Sequence, residues 1–288
     1  TDVVNLINKL DYHFDEPFGD SSSLPMMTLS EMTKQEVTVA LSGDGGDELF
    51  LGYDRYFFTN DYLKRLTKIP QSLRTILSTI FRYSKHDKLE KMSFPLRNLN
   101  KENLLSVLST SIKPWEVNTI FKKDYIHSVF NKENITLLDL YEFKFDGDDT
   151  LDSLSRLDFY RYLPDDILTK VDRATMAYSL EARVPMLDHR IVEFAYSLPS
   201  HIKLQNGNKS ILKDILYKQV PKKLINRPKK GFSVPLKDWF RDELKDTLYS
   251  KIDNLDERFD KQGIENIADL HVYKGRNYEH VLWNLLKL

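Results

Sequence analysis

A chain of 288 residues with 41% hydrophobic content has the length for one large domain or two ordinary ones around a sizeable core. Lys plus Arg number 42 against 43 for Asp plus Glu, so no long-range field draws the whole molecule to nucleic acid or to an anionic membrane, and any site for a charged ligand is local. The absence of cysteine excludes disulfides, thiolate metal sites and a cysteine nucleophile within these residues, and fits a reducing cytoplasm.

No apolar run approaches the roughly 18 residues of a membrane span, and the opening TDVVNLINKLDYHF lacks the basic and then greasy segments of an export signal. A soluble, cytoplasmic protein with no membrane or nucleic-acid partner is expected. Thr1 to Leu10 is predicted helical, with Val3, Val4, Leu6, Ile7 and Leu10 at helical spacing. Only Thr1 and Asp2 serve as its start signal, so the chain is expected to be a piece of a longer protein. Ser21 to Ser23 resemble a helix start ahead of LPMMTLSEMTKQ, and Val37, Val39 and Leu41 make the one convincing strand. From residue 59 onward the period is helical, through YLKRLTKI, QSLRTILSTIF, KENLLSVLSTSI, TLLDLYEF, SLSRLDFYRYL, DDILTKVDRATMAYSL and IVEFAYSL. Ser84 to Lys91 and FDGDDT at 145–150 read as loops; the second lacks the ligand spacing of a calcium loop and offers Thr150 or Asp149 as a helix cap. The expected fold is mostly α with a small parallel-sheet remnant, in one domain over residues 1–288 with a loosely attached tail. A single strand is not a sheet, so its partners are either unrecognised here or lie upstream.

The strand runs into VALSGDGGDELFLGY, residues 39–53. A strand that ends in a glycine turn and feeds a helix places that turn at the carboxyl edge of a sheet, where α/β proteins bind ligands. Gly43, Gly45 and Gly46 allow positive φ and close backbone approach, and the amides beyond them can meet an anion. Asp44, Asp47 and Glu48 would repel bare phosphate, which a Mg²⁺ ion between carboxylate and phosphate would resolve. The plainer alternative is a helix start whose Asp47 and Glu48 complement the dipole.

A second group is YLPDDILTKVDRATMAYSLEARVPMLDHR, residues 162–190, where Ile167, Val171, Ala174 and Tyr178 form an apolar stripe and Asp166, Lys170 and Arg173 the opposite face. Taken alone, the i,i+4 pair Asp166 and Lys170 reads as a solvent salt bridge. Glu181, Arg183 and Asp188 surround an Arg-Val-Pro turn that would aim them. A third stretch, residues 218–230, holds Lys218, Lys222, Lys223, Arg227, Lys229 and Lys230 with no acid among them. It could be a solvated surface, a phosphate-neutralising loop or an RNA-facing patch, although no aromatics interleave the cations as a stacking platform needs.

In this order, SGDGGDELFLGY, LPDDILTKVDRATMAYSLEARVPMLDH and NRPKKGFSVP resemble the synthetase domain of the glutamine-dependent asparagine synthetases, a branch of the pyrophosphatase-loop ATP-using enzymes, from residue 15 to 245. The resemblance implies the carboxyl-terminal part of such an α/β domain. It also implies an enzyme that activates a carboxylate with ATP and Mg²⁺ to an acyl-adenylate, which ammonia then converts to the amide. By the same resemblance Ser42, Gly43 and Gly45 contact ATP, Asp47 is a Mg²⁺ ligand, and Lys229 stabilises charge on phosphate and on the tetrahedral intermediate. Lys209 is a substrate-side lysine, and Asp166, Arg173 and Glu181 form a substrate or structural polar network. Asp44 stands where better-known members carry a catalytic Glu, and Leu51 where a glycine is common.

The family's S-G-G-x-D-S loop and its glutaminase half with a nucleophilic cysteine do not occur in these residues, and both are expected upstream in the full-length protein, with a homodimer as its assembly. The piece by itself is expected to be inactive. Alternatives are a catalytically silent nucleotide-binding or scaffold module, an amidotransferase acting on another carboxylate such as a sugar acid, and RNA binding through residues 218–230.

Overall fold

Leu236, Phe240, Leu244, Leu248 and Ile252 recur every fourth residue, and in the computed structural model all five are buried in the main core. The structure describes residues 3–84, 86–101, 103–104, 112–131, 149–225 and 234–288. The TLLDLYEF run, most of KENLLSVLSTSI, most of FDGDDT and residues 226–233 lie outside that range.

Helices α1 (Val3–His13) and α2 (Ser23–Lys34) precede strand β1 (Val39–Leu41) and the four-residue helix α3 (Gly46–Leu49). Next come α4 (Asp54–Leu66), α5 (Gln71–Arg82), α6 (Asp87–Arg97), α7 (Pro114–Ile120) and α8 (Lys123–Phe130). Helix α9 (Thr150–Tyr160) leads through a π-helical turn (Leu163–Leu168) into α10 (Thr169–Met176), strand β2 (Glu181–Arg183) and α11 (His189–Ser197). The short helices α12 (Ser200–Lys203), α13 (Ser210–Leu216), α14 (Lys222–Ile225) and α15 (Leu236–Trp239) come before α16 (Lys245–Asp253), α17 (Lys261–Val272) and α18 (Glu279–Lys287).

The carboxyl-terminal helices are not a loose tail. Ile7 and Leu10 of α1 and Leu24 and Met27 of α2 join Ile264 and Ala268 of α17 and Leu282, Trp283 and Leu285 of α18 in one buried cluster. The apolar stripes of these helices cover one another together with Ala174 of α10 and Leu248 and Ile252 of α16. His271 of α17 fastens the end of the chain: its Nδ1 accepts the Tyr278 N–H at 2.9 Å, which leaves Nε2 to donate to the Lys237 carbonyl at 3.1 Å.

The predicted 84–91 loop is shorter than expected, because α6 begins at Asp87. A tertiary partner decides this, since Glu90 accepts from Lys113 Nζ and from Trp115 Nε1, each at 3.2 Å. Asp149 rather than Thr150 caps α9, accepting from the amides of Leu151 and Asp152 at 2.9 and 3.2 Å.

Strand β1 finds its partner within the chain. It pairs in parallel with β2, with Val39 opposite Glu181, Ala40 opposite Ala182 and Leu41 opposite Arg183. The sheet has two strands among the described residues, and Leu41 is 74% exposed on it. Glu181 and Arg183, read from the sequence as turn residues, are the outward positions of a strand that alternates exposed, half-buried, exposed. Because the pair is parallel, the turns after β1 and β2 emerge at the same edge.

Candidate functional site

The turn at that edge starts where the Ser42 amide donates to the Arg183 carbonyl at 2.9 Å. Gly45 caps α3 at φ +80, a conformation that favours glycine, and a Cβ there would stand 2.5 Å from Leu187 Cδ2 and push that side chain aside. A Cβ on Gly43 would meet open space, which leaves the backbone of Ser42 to Asp44 approachable. Ser42 Oγ donates to Asp44 Oδ2 at 2.7 Å and fixes that carboxylate beside the opening.

Asp47 and Lys209 meet, with Lys209 Nζ 2.8 Å from Asp47 Oδ1, both side chains partly open to solvent. Lys209 precedes α13 at φ +53, a region a non-glycine residue rarely adopts, and its amide donates to the Phe50 carbonyl at 3.2 Å. Beneath the pair lies Gly52, where a Cβ would come 2.0 Å from Asp47 Oδ1 and 2.2 Å from Lys209 Cε. Any side chain here would force the Asp47 and Lys209 side chains to move. Leu51, where the resemblance expects glycine, has φ +54 and is fully buried.

Glu48 does not serve the helix dipole. Helix α3 is only four residues long, and the Glu48 side chain turns inward, 1% exposed, where Oε1 accepts from Tyr53 OH at 2.8 Å. Burial raises its carboxyl above the ordinary range. Ser155 Oγ donates to the Glu48 carbonyl at 2.6 Å and ties α3 to α9.

The expected polar network of Asp166, Arg173 and Glu181 divides into three separate contacts. Asp166 faces Lys170 Nζ at 3.6 Å, and Lys170, 11% exposed, is also bonded to Asp20. This is a half-buried cluster rather than the solvent pair expected from i,i+4 spacing, because the Asp20 loop closes over it. Burial first, then the Asp20 charge, pushes the Asp166 carboxyl up to about 7. Burial opposes ionisation of Asp20 too, but Lys170 outweighs it and holds Asp20 below its usual value. Arg173 pairs with Asp15 at 2.5 Å and Glu181 with Arg183 at 2.8 Å, both on the surface. Asp188 caps α11 and binds Arg190 at 2.8 Å.

Lys229 lies outside the described residues, as do Arg227 and Lys230. Lys218, Lys222 and Lys223 are exposed. Among the described residues no group of three His, Cys, Asp or Glu side chains is placed to hold a metal ion, and no helix is long and apolar enough to cross a membrane.

The sequence reading missed what lies below the turn. Arg55 Nε and Nη2 bond Asp158 Oδ2 at 3.2 and 2.6 Å, and its guanidinium lies 4.1 Å from the ring centre of Tyr53 and 4.5 Å from that of Tyr162. The one available signal was the Tyr53-Asp54-Arg55-Tyr56 run directly after the turn; nothing in it points to Asp158 or Tyr162.

A family model described as asparagine synthase matches residues 1–288. Asparagine synthetase [glutamine-hydrolyzing] 1 of Bacillus subtilis (strain 168) is 28% identical over 297 residues, which is 99% of this chain and 45% of that protein. A putative asparagine synthetase [glutamine-hydrolyzing] of Mycobacterium tuberculosis (strain ATCC 25618 / H37Rv) is 28% identical over 294 residues, 99% of this chain and 44% of its own length. Putative asparagine synthetase [glutamine-hydrolyzing] 2 of Methanocaldococcus jannaschii is 34% identical over 191 residues, 61% of this chain and 33% of its own. The chain thus spans less than half the length of these relatives and matches their carboxyl-terminal part. With a match over its whole length, the chain belongs to the asparagine synthase family.

Proposed function

We propose that this chain is part of an enzyme that uses ATP to form an amide, making asparagine from aspartate with ammonia released from glutamine. The observation that carries the reading is the meeting of Asp47 and Lys209 beside the open backbone of Gly43, at the carboxyl edge of a parallel strand pair. Ser42, Gly43 and Gly45 hold the nucleotide through the turn's backbone. Asp47 suits magnesium as a single carboxylate, since that ion is commonly held by one or two carboxylates together with phosphate oxygens and water. When bound, magnesium neutralises phosphate charge. Asp44, kept in place by the Ser42 hydroxyl, accepts a proton from the attacking ammonia. Lys209 offers a point charge to an anionic group of the substrate, and Lys229 stabilises the negative charge that develops during transfer.

The remaining length of the relatives supplies, in this reading, the pyrophosphate loop, further strands of a pyrophosphatase-loop sheet and the glutaminase half. A cytoplasmic enzyme follows from it. A second reading replaces aspartate by a bulkier carboxylate such as a sugar acid, and the short Asp44 side chain, turned toward Ser42, favours it. The full-length protein should exchange labelled pyrophosphate into ATP only when aspartate is present. Exchange with other carboxylates alone would select the second reading, and exchange with none would sink both.

A further inference from the structure

The segment from Glu48 to Tyr53 returns on itself. Leu51 takes φ +54, and the Gly52 amide donates to the Asp47 carbonyl at 2.8 Å, which puts Gly52 directly under the Asp47–Lys209 pair. A non-glycine residue in that region persists only when its surroundings over-determine it. Two contacts do so. The Tyr53 hydroxyl closes the ring by donating to Glu48 Oε1 at 2.8 Å, and the guanidinium of Arg55 lies on the Tyr53 ring at 4.1 Å. Arg55 is itself held by Asp158, whose side chain is 6% exposed, and by the Tyr162 ring at 4.5 Å. A planar cation in the corner of two rings that stand at 72° to each other, with two donors on one oxygen of a buried carboxylate, has little freedom to shift.

We propose that Tyr53 and Arg55 are positioning residues for nucleotide and magnesium: through the 48–53 return they set the height of Gly52 and hence the spacing of Asp47 from Lys209. This rests on the reading of that turn given under Proposed function. Arg55 is the anchor and Tyr53 the lever, and neither touches the ligand. Lysine cannot replace Arg55, since it lacks the flat face and the edge-on pair of donors.

The test uses the full-length protein and the variants Tyr53→Phe, which keeps the ring, and Arg55→Lys, which keeps the charge. Asp260→Ala, which removes the cap of α17 where Asp260 accepts from the Gly263 amide at 3.0 Å, serves as the stability control. Calorimetric binding of ATP at saturating Mg²⁺, the binding of Mn²⁺ with nucleotide present, KM, kcat and Tm are measured for each. Both positioning variants should weaken ATP and Mn²⁺ binding about tenfold and raise KM for ATP more than they lower kcat, an effect on ligand binding that the control should lack even where its Tm falls. Unchanged ligand binding in Tyr53→Phe and Arg55→Lys, while wild type binds, would overturn the inference and leave the functional reading intact. Failure of wild type to bind ATP would overturn both.

Discussion

At Leu51 the backbone and the side chain want different residues. The φ of +54 favours glycine and costs leucine about 1 kcal/mol or more. The side chain offsets this by packing fully buried against Tyr56 and Leu154. The resemblance to the family flagged the position, and only the backbone angle explains it. Gly52 is the stricter case. Gly52→Ala should displace Asp47 from Lys209, weaken ATP binding by the full-length protein at least tenfold, and cost about 1–3 kcal/mol through overpacking. Calorimetry with ATP and a urea melt check the two effects separately. Of the proposed site residues, Ser42, Asp44 and Asp47 stand out in the sequence through the glycine turn they share, and Lys209 through the resemblance alone. Glu48, Arg55 and Asp158 do not: the first looks like any acidic helix start, and the other two meet only when α4 packs against α9.

Elements set by local chemistry were the readable ones. The Asp149 cap acts within three residues, and the stripe of α10 follows from period alone. Strand β2 escaped because Glu-Ala-Arg carries no apolar alternation; its strand state comes from β1, through pairing that no short window contains. The α17–α18 junction depends on a side chain in a fixed protonation state. His271 is fully buried, burial lowers its pKa, and its neutral form both accepts and donates at the junction. A group whose pKa is depressed in the fold stabilises above its unfolded value and loses that contribution as pH falls. The His271 contribution to unfolding free energy should therefore decline as pH drops below about 6.5, where a free histidine takes its proton, while Asp166, raised to about 7, works the other way in the same range. His271→Gln should flatten this decline, as urea melts between pH 5 and 8 would reveal.

For the molecule as a whole, the order of the chain misleads about the order of importance. The end of the chain looks like an appendage in the sequence, yet the segment from Leu236 to Leu286 supplies most of the buried residues of the main core. Ending the chain after Val234 should remove cooperative unfolding altogether, visible in circular dichroism melts as a broad, shallow change in place of a sigmoid.

The strand pair has one further consequence, which concerns handling and not chemistry. Parallel sheets are ordinarily covered on both faces and extended at their edges, whereas β1 carries Val39 at 38% and Leu41 at 74% exposure. Among the described residues β1 is paired on one side alone, and a short apolar strand with an open edge is a template for another strand. Prepared as these 288 residues alone, the protein should self-associate with rising concentration. Leu41→Lys should suppress that association in light scattering without shifting Tm, because charge on an open edge repels the next chain.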